Sequence, residues 1–253
     1  AQRLADAARA MEVGAQSLLR GAQQSHSTLS GSVRLSASQP VACHLLPPLM
    51  GRMRSELPGI QVELVSCNTV SDLLRREADI AITLERPARG PYVCSKLCDY
   101  KLSLYATPAY LANHAAIEKR EDLQGHRFIN YVDDLAFSAQ LLYLDEMVPG
   151  ATSSLRSTSV IAQYHAALQG RALAILPCFV AAGDPRLVAV LPSELSVVRQ
   201  FWMSYSEDLR RLKRVTGVAA YLAERARANE AFLLGAAVTG LNTAATTLGV
   251  ASP

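Results

Sequence analysis

The sequence contains no Gly-rich phosphate loop, no G-x-S-x-G and no H-E-x-x-H. The chemistries those patterns serve, from phosphate cradling to metal-assisted hydrolysis, are without support. It also lacks any C-x-x-C: the five cysteines, at 43, 67, 94, 98 and 178, are scattered and odd in number. That pattern argues against a disulfide framework and for reduced thiols in a cytoplasm. Charge is scarce, 19% of residues, and nearly balanced at a net +3. So small an excess does not argue for nucleic acid by itself. No basic segment leading into an apolar run opens the chain, so nothing suggests export. Half of the 253 residues are hydrophobic, which suits one or two α/β domains with a full core.

What is there is organised around Gly31–Leu64. Val33 and Leu35 alternate as a strand, and small polar residues end it. Ser38, Gln39 and Pro40 stand where a helix begins: Ser is a good N-cap, and Pro fits the first turn. Leu45, Leu46, Leu49, Met50 and Met53 then recur at helical spacing. Pro47–Pro48 interrupts that pattern and predicts a kink or a late start. Pro58–Gly59 ends the helix, and Ile60–Val65 alternates as a second strand. Such a βαβ unit sets a helix N-terminus at the carboxyl end of a strand, a site suited to a small anion.

Upstream, Leu4, Ala8, Met11, Ala15, Leu18 and Ala22 form a heptad seam on a helix, Ala1 to about Gln24. It is either a surface helix of its own domain or a helix that pairs two chains. Gly21–Ser32 reads as a flexible linker. The chain opens without Met inside this helical pattern, so we expect a piece of a longer protein. Asn68, Thr69 and Ser71 form a turn and cap cluster before a short helix and the strand Ala78–Leu84. Val93–Tyr105 holds one or two strands, Phe128–Val132 another, and Ser138–Tyr143 is undetermined between helix and strand. Ser159–Gln169 is a helix that Gly170 ends. Ala172–Leu176, Leu187–Leu191 and Arg199–Tyr205 are strands, and Leu209 to about Glu230 is an amphipathic helix. Ala231–Pro253 is uncharged and long enough to span a bilayer. Its threonines and glycines make it too polar for that, so a mobile or docked tail is expected. The histidines are isolated in sequence, and no metal site or cofactor is expected.

LLRREADIAITLERP at 73–87, LSLYATPAYL at 102–111, DLQGHRFINY at 122–131 and ALQGRALAILP at 167–177 resemble LysR-type transcriptional regulators. The order of elements does too, from linker helix through the GSVRLSAS strand to the closing helix. The resemblance implies an α/β, type-2 periplasmic-binding-protein-like fold: two Rossmann-like subdomains with a cleft between them, preceded by a long linker helix. It implies a linker and dimerisation helix over 1–26, subdomain one over 31–105 and 205–253, and subdomain two over 106–204. Crossings between subdomains are expected near Tyr105–Thr107 and Ser204–Ser206. The implied function is effector sensing and oligomerisation in a bacterial DNA-binding regulator, not catalysis. Alternatives are the solute-binding protein of a transporter or an enzyme on the same fold. The winged helix-turn-helix of that family is not in this sequence, so DNA would be reached only through it. A small-molecule effector, possibly a carboxylate, a homodimer or homotetramer, no membrane, and a cytoplasmic location complete the expectation. The cleft walls mapped by motif are Ser38, Gln39, Asn68 and Thr69 on one side, and Val132, Asp133, Thr158 and Ser159 on the other. Capping alone is the simpler role for Asp133, Thr158 and Ser159.

Overall fold

In β1 (Gly31–Ala37), the predicted alternation places Val33, Leu35 and Ala37 in the core. The computed structural model describes residues 29–66, 78–87, 90–236 and 241. The helix expected over Ala1–Gln24, most of its linker, Cys67, Asn68, Thr69, the short helix to Arg76 and most of the tail lie outside them.

The helix after β1 starts where Ser38 predicts, since the Ala42 N–H donates to the Ser38 carbonyl at 2.9 Å. It then widens into a π turn, Val41–Leu45, before α1 (Leu46–Glu56). The Leu46 N–H reaches back five residues to the Val41 carbonyl. Pro47 and Pro48 explain this. Neither has an N–H, and in a regular helix each ring would press on the carbonyl four residues earlier. One extra residue in the turn relieves that clash, so the kink takes the form of a π bulge. Leu45, Leu46, Leu49 and Met53 are buried, each contributing about 1.5–3 kcal/mol.

β2 (Ile60–Ser66) runs parallel to β1, from Gly31 beside Ile60 to Ala37 beside Ser66. β3 (Ile80–Thr83) lies parallel on the other side of β1. Two long strands follow in space. β4 (Tyr92–Ala106) and β9 (Ser196–Ser206) pair antiparallel from Tyr92 beside Ser206 to Ser103 beside Ser196, with a bulge between Lys96 and Cys98. Each strand changes outer neighbours along its length. Trp202–Tyr205 of β9 pair with β3, whereas Leu102–Ala106 of β4 pair with β7 (Leu173–Pro177) and β8 (Val188–Val190). Tyr105–Ala106 and Ser204–Ser206 are the far ends of these two strands.

The second group of strands is β5 (Arg127–Asn130), parallel to both β7 and β6 (Thr152–Arg156). Around it lie α2 (Pro108–Ala112), α3 (Tyr143–Met147), α4 (Val160–Ala167) and α5 (Cys178–Ala181). The undetermined stretch from Ser138 is a 3-10 turn, Ala139–Leu141, leading into α3. After α4, Gly170 adopts φ +65, and a β-carbon there would stand 2.8 Å from Thr107 Oγ1. Only glycine meets both conditions without strain. The closing helix begins later than expected: Glu207–Arg211 form a 3-10 turn, and α6 spans Lys213–Ala228, followed by α7 (Glu230–Leu233). Of the inward face expected from the spacing, Leu212, Val215, Val218, Ala219 and Leu222, the last four are buried in α6 while Leu212 precedes it and is half-buried. The Tyr221 hydroxyl donates to the Leu49 carbonyl at 2.9 Å. Among the described residues the strands run in the order β2-β1-β3-β9-β4-β7-β5-β6, with β8 beside β4. The result is two α/β lobes joined through β4 and β9, with a cleft between them.

Candidate functional site

The cleft forms where β1 of one lobe and β6 of the other deliver their carboxyl ends. A helix starts at each: the Gln39–Glu56 run after β1, and α4 after β6. Strand ends and helix N-termini thus stand on both sides of the cleft, the arrangement in which first-turn N–H groups can meet a ligand. The cavity encloses about 480 Å³ of empty space, part of it open to solvent. The room left for the centres of water molecules is only about 30 Å³, enough for about two or three waters.

Of the residues mapped from sequence, Ser38, Gln39 and Thr158 line this cavity. Ser159 joins them through Gln39. Its hydroxyl donates to Gln39 Oε1 at 2.6 Å and accepts from the Ala162 N–H at 3.0 Å. It is thus at once a helix cap and a tie between lobes. Val132 and Asp133 are not in the lining. The Asp133 carboxylate pairs with Arg156 at 3.0 Å, with both side chains largely in solvent, an arrangement that adds little stability. Asn68 and Thr69 lie outside the described residues.

A second set of ties closes the opposite rim. The Ser138 hydroxyl donates to Glu85 Oε1 at 2.6 Å, and Gln140 Nε2 donates to the Leu84 carbonyl at 3.0 Å. Beside the first rim, the His44 ring in the π turn meets the Tyr164 ring of α4 edge-on, centroids 5.8 Å apart. Burial, and then the nearby His165, hold the His44 pKa below its ordinary value. The Tyr164 hydroxyl in turn donates to Asp184 Oδ2 at 2.5 Å.

Sequence reasoning missed the residues that dominate the wall. Tyr100, Tyr131, Phe137, Tyr143, Phe179 and Phe201 all line the cavity, with Leu84, Leu102, Leu141 and Val160 among the rest. Tyr100 stacks on Phe201 with centroids 4.1 Å apart, and Phe179 meets both edge-on. Burial pushes the Tyr100, Tyr131 and Tyr143 hydroxyl pKa values up, so they remain neutral donors. The Tyr143 hydroxyl donates to Gln163 Oε1 at 3.3 Å, and Gln163 Nε2 donates to the Ser157 and Asn130 carbonyls. This buried amide ties α4 to the ends of β5 and β6, which fixes where Thr158 and Ser159 stand. Among the described residues, no Asp, Glu, Lys, Arg or His appears in the lining. Among the same residues, no nucleophile in the lining has a base beside it, and no three His, Cys, Asp or Glu side chains gather as metal ligands. Among those residues, no helix is long and apolar enough to cross a membrane.

The family model described as the LysR substrate binding domain matches residues 26–227. Among curated proteins, the HTH-type transcriptional regulator CrgA of Neisseria meningitidis is 29% identical over 108 residues, 43% of this chain and 36% of that protein. The HTH-type transcriptional regulator PtxR of Pseudomonas aeruginosa is 27% identical over 171 residues, 64% of this chain and 54% of its own length. The chain thus spans about a third to a half of these relatives. Among solved structures, the CrgA regulatory domain from Neisseria meningitidis superposes with a TM-score of 0.68 at 23% identity, covering 77% of this chain and 98% of that one. At that identity the likeness shows the fold: the two-lobed α/β arrangement of a LysR-type regulatory domain.

Proposed function

Because the chain belongs to the LysR substrate binding domain family, we propose that it is the effector-sensing and oligomerisation region of a bacterial LysR-type transcriptional regulator. The observation that carries the reading is the cavity between the lobes, bounded by Ser38, Gln39 and Thr158 and closed over by side-chain ties on two rims. A ligand that touches both lobes stabilises the closed form through contacts the open form does not offer. DNA is then reached through a winged helix-turn-helix of the whole protein, and the working compartment is the cytoplasm. The division into subdomains 31–105 with 205–253, and 106–204, belongs to this proposal. The exchange of neighbours along β4 and β9 supports two lobes that share those strands.

The effector carries a carboxylate in this reading. Support comes from the two helix N-termini that open on the cavity, whose dipoles favour negative charge. Ser38, Gln39, Thr158 and Ser159 would hold it, with Asn68 and Thr69 completing the wall. Val132 and Asp133 would shape the rim, since Tyr131 and Phe137 on either side of them reach the lining. Pairing of two or four chains follows from the heptad seam at Leu4–Ala22. Sedimentation showing only a 27.3 kDa species at micromolar concentration would refute it. The transporter alternative shares the fold, but the family match favours the regulator.

Thermal-shift screening of small carboxylates tests the cavity. At a hundredfold excess over Kd, a ligand of the native state adds about 2.7 kcal/mol, which raises the Tm of a chain this long by about 5–10 °C. Thr158→Trp fills the cleft and should abolish the shift. A ligand that raises the Tm equally in that variant binds elsewhere and refutes the site.

A further inference from the structure

We propose that the body of the effector is a single planar aromatic ring, bearing one negative charge. This rests on the reading of the cleft as the effector site and deepens it. Six of the fifteen residues lining the cavity are aromatic, in a chain where aromatics make up 6%. They come from separate elements: β4, β9, α5, α3 and the segment after β5. Separate elements deliver rings to one space only through the tertiary fold, so the concentration is a property of the site and not of a local motif.

The arrangement suits a ring. Tyr100 and Phe201 stack at 4.1 Å with planes 10° apart, and Phe179 stands against both at 70° and 62°. The closed cavity has room for only a few waters, so a ring enters with the lobes parted. A planar guest can then continue that stacked or edge-on geometry, which attracts aromatic rings beyond the area they bury. A saturated ring of the same size buries its area but gains none of the directional part. Phe137 stands at the mouth, 38% exposed, on the loop tied across the cleft by Ser138 and Gln140. A ring beneath it gives that side chain an apolar partner it otherwise has only in part.

The charge limit follows from the same lining. With no carboxylate among the described lining residues, a cation entering would shed its water without a counter-charge there. It would also meet the positive ends of two helix dipoles. One negative charge has those N–H groups; a second meets no cation among the described lining residues.

Titration calorimetry on the wild-type chain with benzoate, cyclohexanecarboxylate, benzylamine and succinate tests this. Benzoate should bind about three- to tenfold more tightly than cyclohexanecarboxylate, and benzylamine and succinate should not bind. Phe179→Leu keeps the apolar volume and should narrow the difference between the two ring acids. Circular dichroism confirms that the variant is folded. Thr158→Trp should abolish binding of both. Equal affinity for the two ring acids in wild type, or no binding of benzoate at millimolar concentration, overturns the ring assignment. If succinate or cyclohexanecarboxylate then binds and Thr158→Trp abolishes it, the cleft reading stands while the ring falls. Binding of benzoate that Thr158→Trp leaves unchanged overturns both.

Discussion

Ser159→Ala tests how the lobes are held together. The Ser159 hydroxyl does two things: it caps α4 through the Ala162 N–H and crosses the cleft to Gln39 Oε1 at 2.6 Å. Loss of an N-cap costs about 1 kcal/mol, and loss of one net hydrogen bond about 0.5–1.5 kcal/mol. The substitution should therefore destabilise by about 2 kcal/mol, lowering the Tm by about 4–8 °C. Gln39→Ala removes only the crossing bond and should cost about 1 kcal/mol or less, because water at the cleft can replace part of it. Urea unfolding followed by the fluorescence of Trp202, the one tryptophan of the chain, on β9, gives each free energy. The double variant closes a cycle, and the expected coupling is about 0.5–1 kcal/mol. Additive losses, with coupling below about 0.3 kcal/mol, would show that the 2.6 Å contact holds nothing and that the closed form is maintained elsewhere.

Ser38→Ala should change stability by less than about 0.5 kcal/mol, because the hydroxyl has no hydrogen-bond partner among the described residues while its carbonyl still starts the helix. A fall in effector affinity in that variant, read by calorimetry, would show the hydroxyl touches ligand; an unchanged affinity removes it from the site. Stability should fall as pH drops below about 6.5, the ordinary histidine value, because burial and a neighbouring histidine lower the pKa of both His44 and His126. The unfolded chain then takes up protons first, so stability is complete above that pH and is lost toward the folded-state pKa values, by at most about 1.4 kcal/mol per pH unit for each group. Melting scans from pH 7.5 to 5 check the sign, and His126→Asn should flatten the slope; stability that rises with acid would refute it. Brief alkylation followed by mass spectrometry should label exposed Cys43 and spare buried Cys98 and Cys178. Burial first, then the Asp99 carboxylate, pushes the Cys98 thiol up to about 12, so rapid labelling there would contradict the packing.

Local pattern was enough for much of this molecule. The β1–helix–β2 unit, the helix stop at Gly170, the cap at Ser159 and the inward face of α6 all follow from interactions within four residues or from a repeat of two or 3.6. Pro47–Pro48 announced an irregularity, but its form as a π turn depended on how the helix packs. The length of β4 was not legible, because a strand shared by two lobes alternates like two strands in succession. The bulge between Lys96 and Cys98 leaves no mark in the pattern either. At the cleft, motif order put Ser38, Gln39, Thr158 and Ser159 near one another, whereas the tie between Gln39 and Ser159 joins residues 120 apart. The same limit explains the end of β5. Tyr131 reaches the cavity and Val132 does not, and a one-residue change of register reverses which side chain faces inward. The aromatic wall is the clearest case. Tyr100, Tyr131, Phe137, Tyr143, Phe179 and Phe201 have no common spacing. A cavity is bounded by whichever side chains several packed elements bring together, and no local energy in the chain records that meeting.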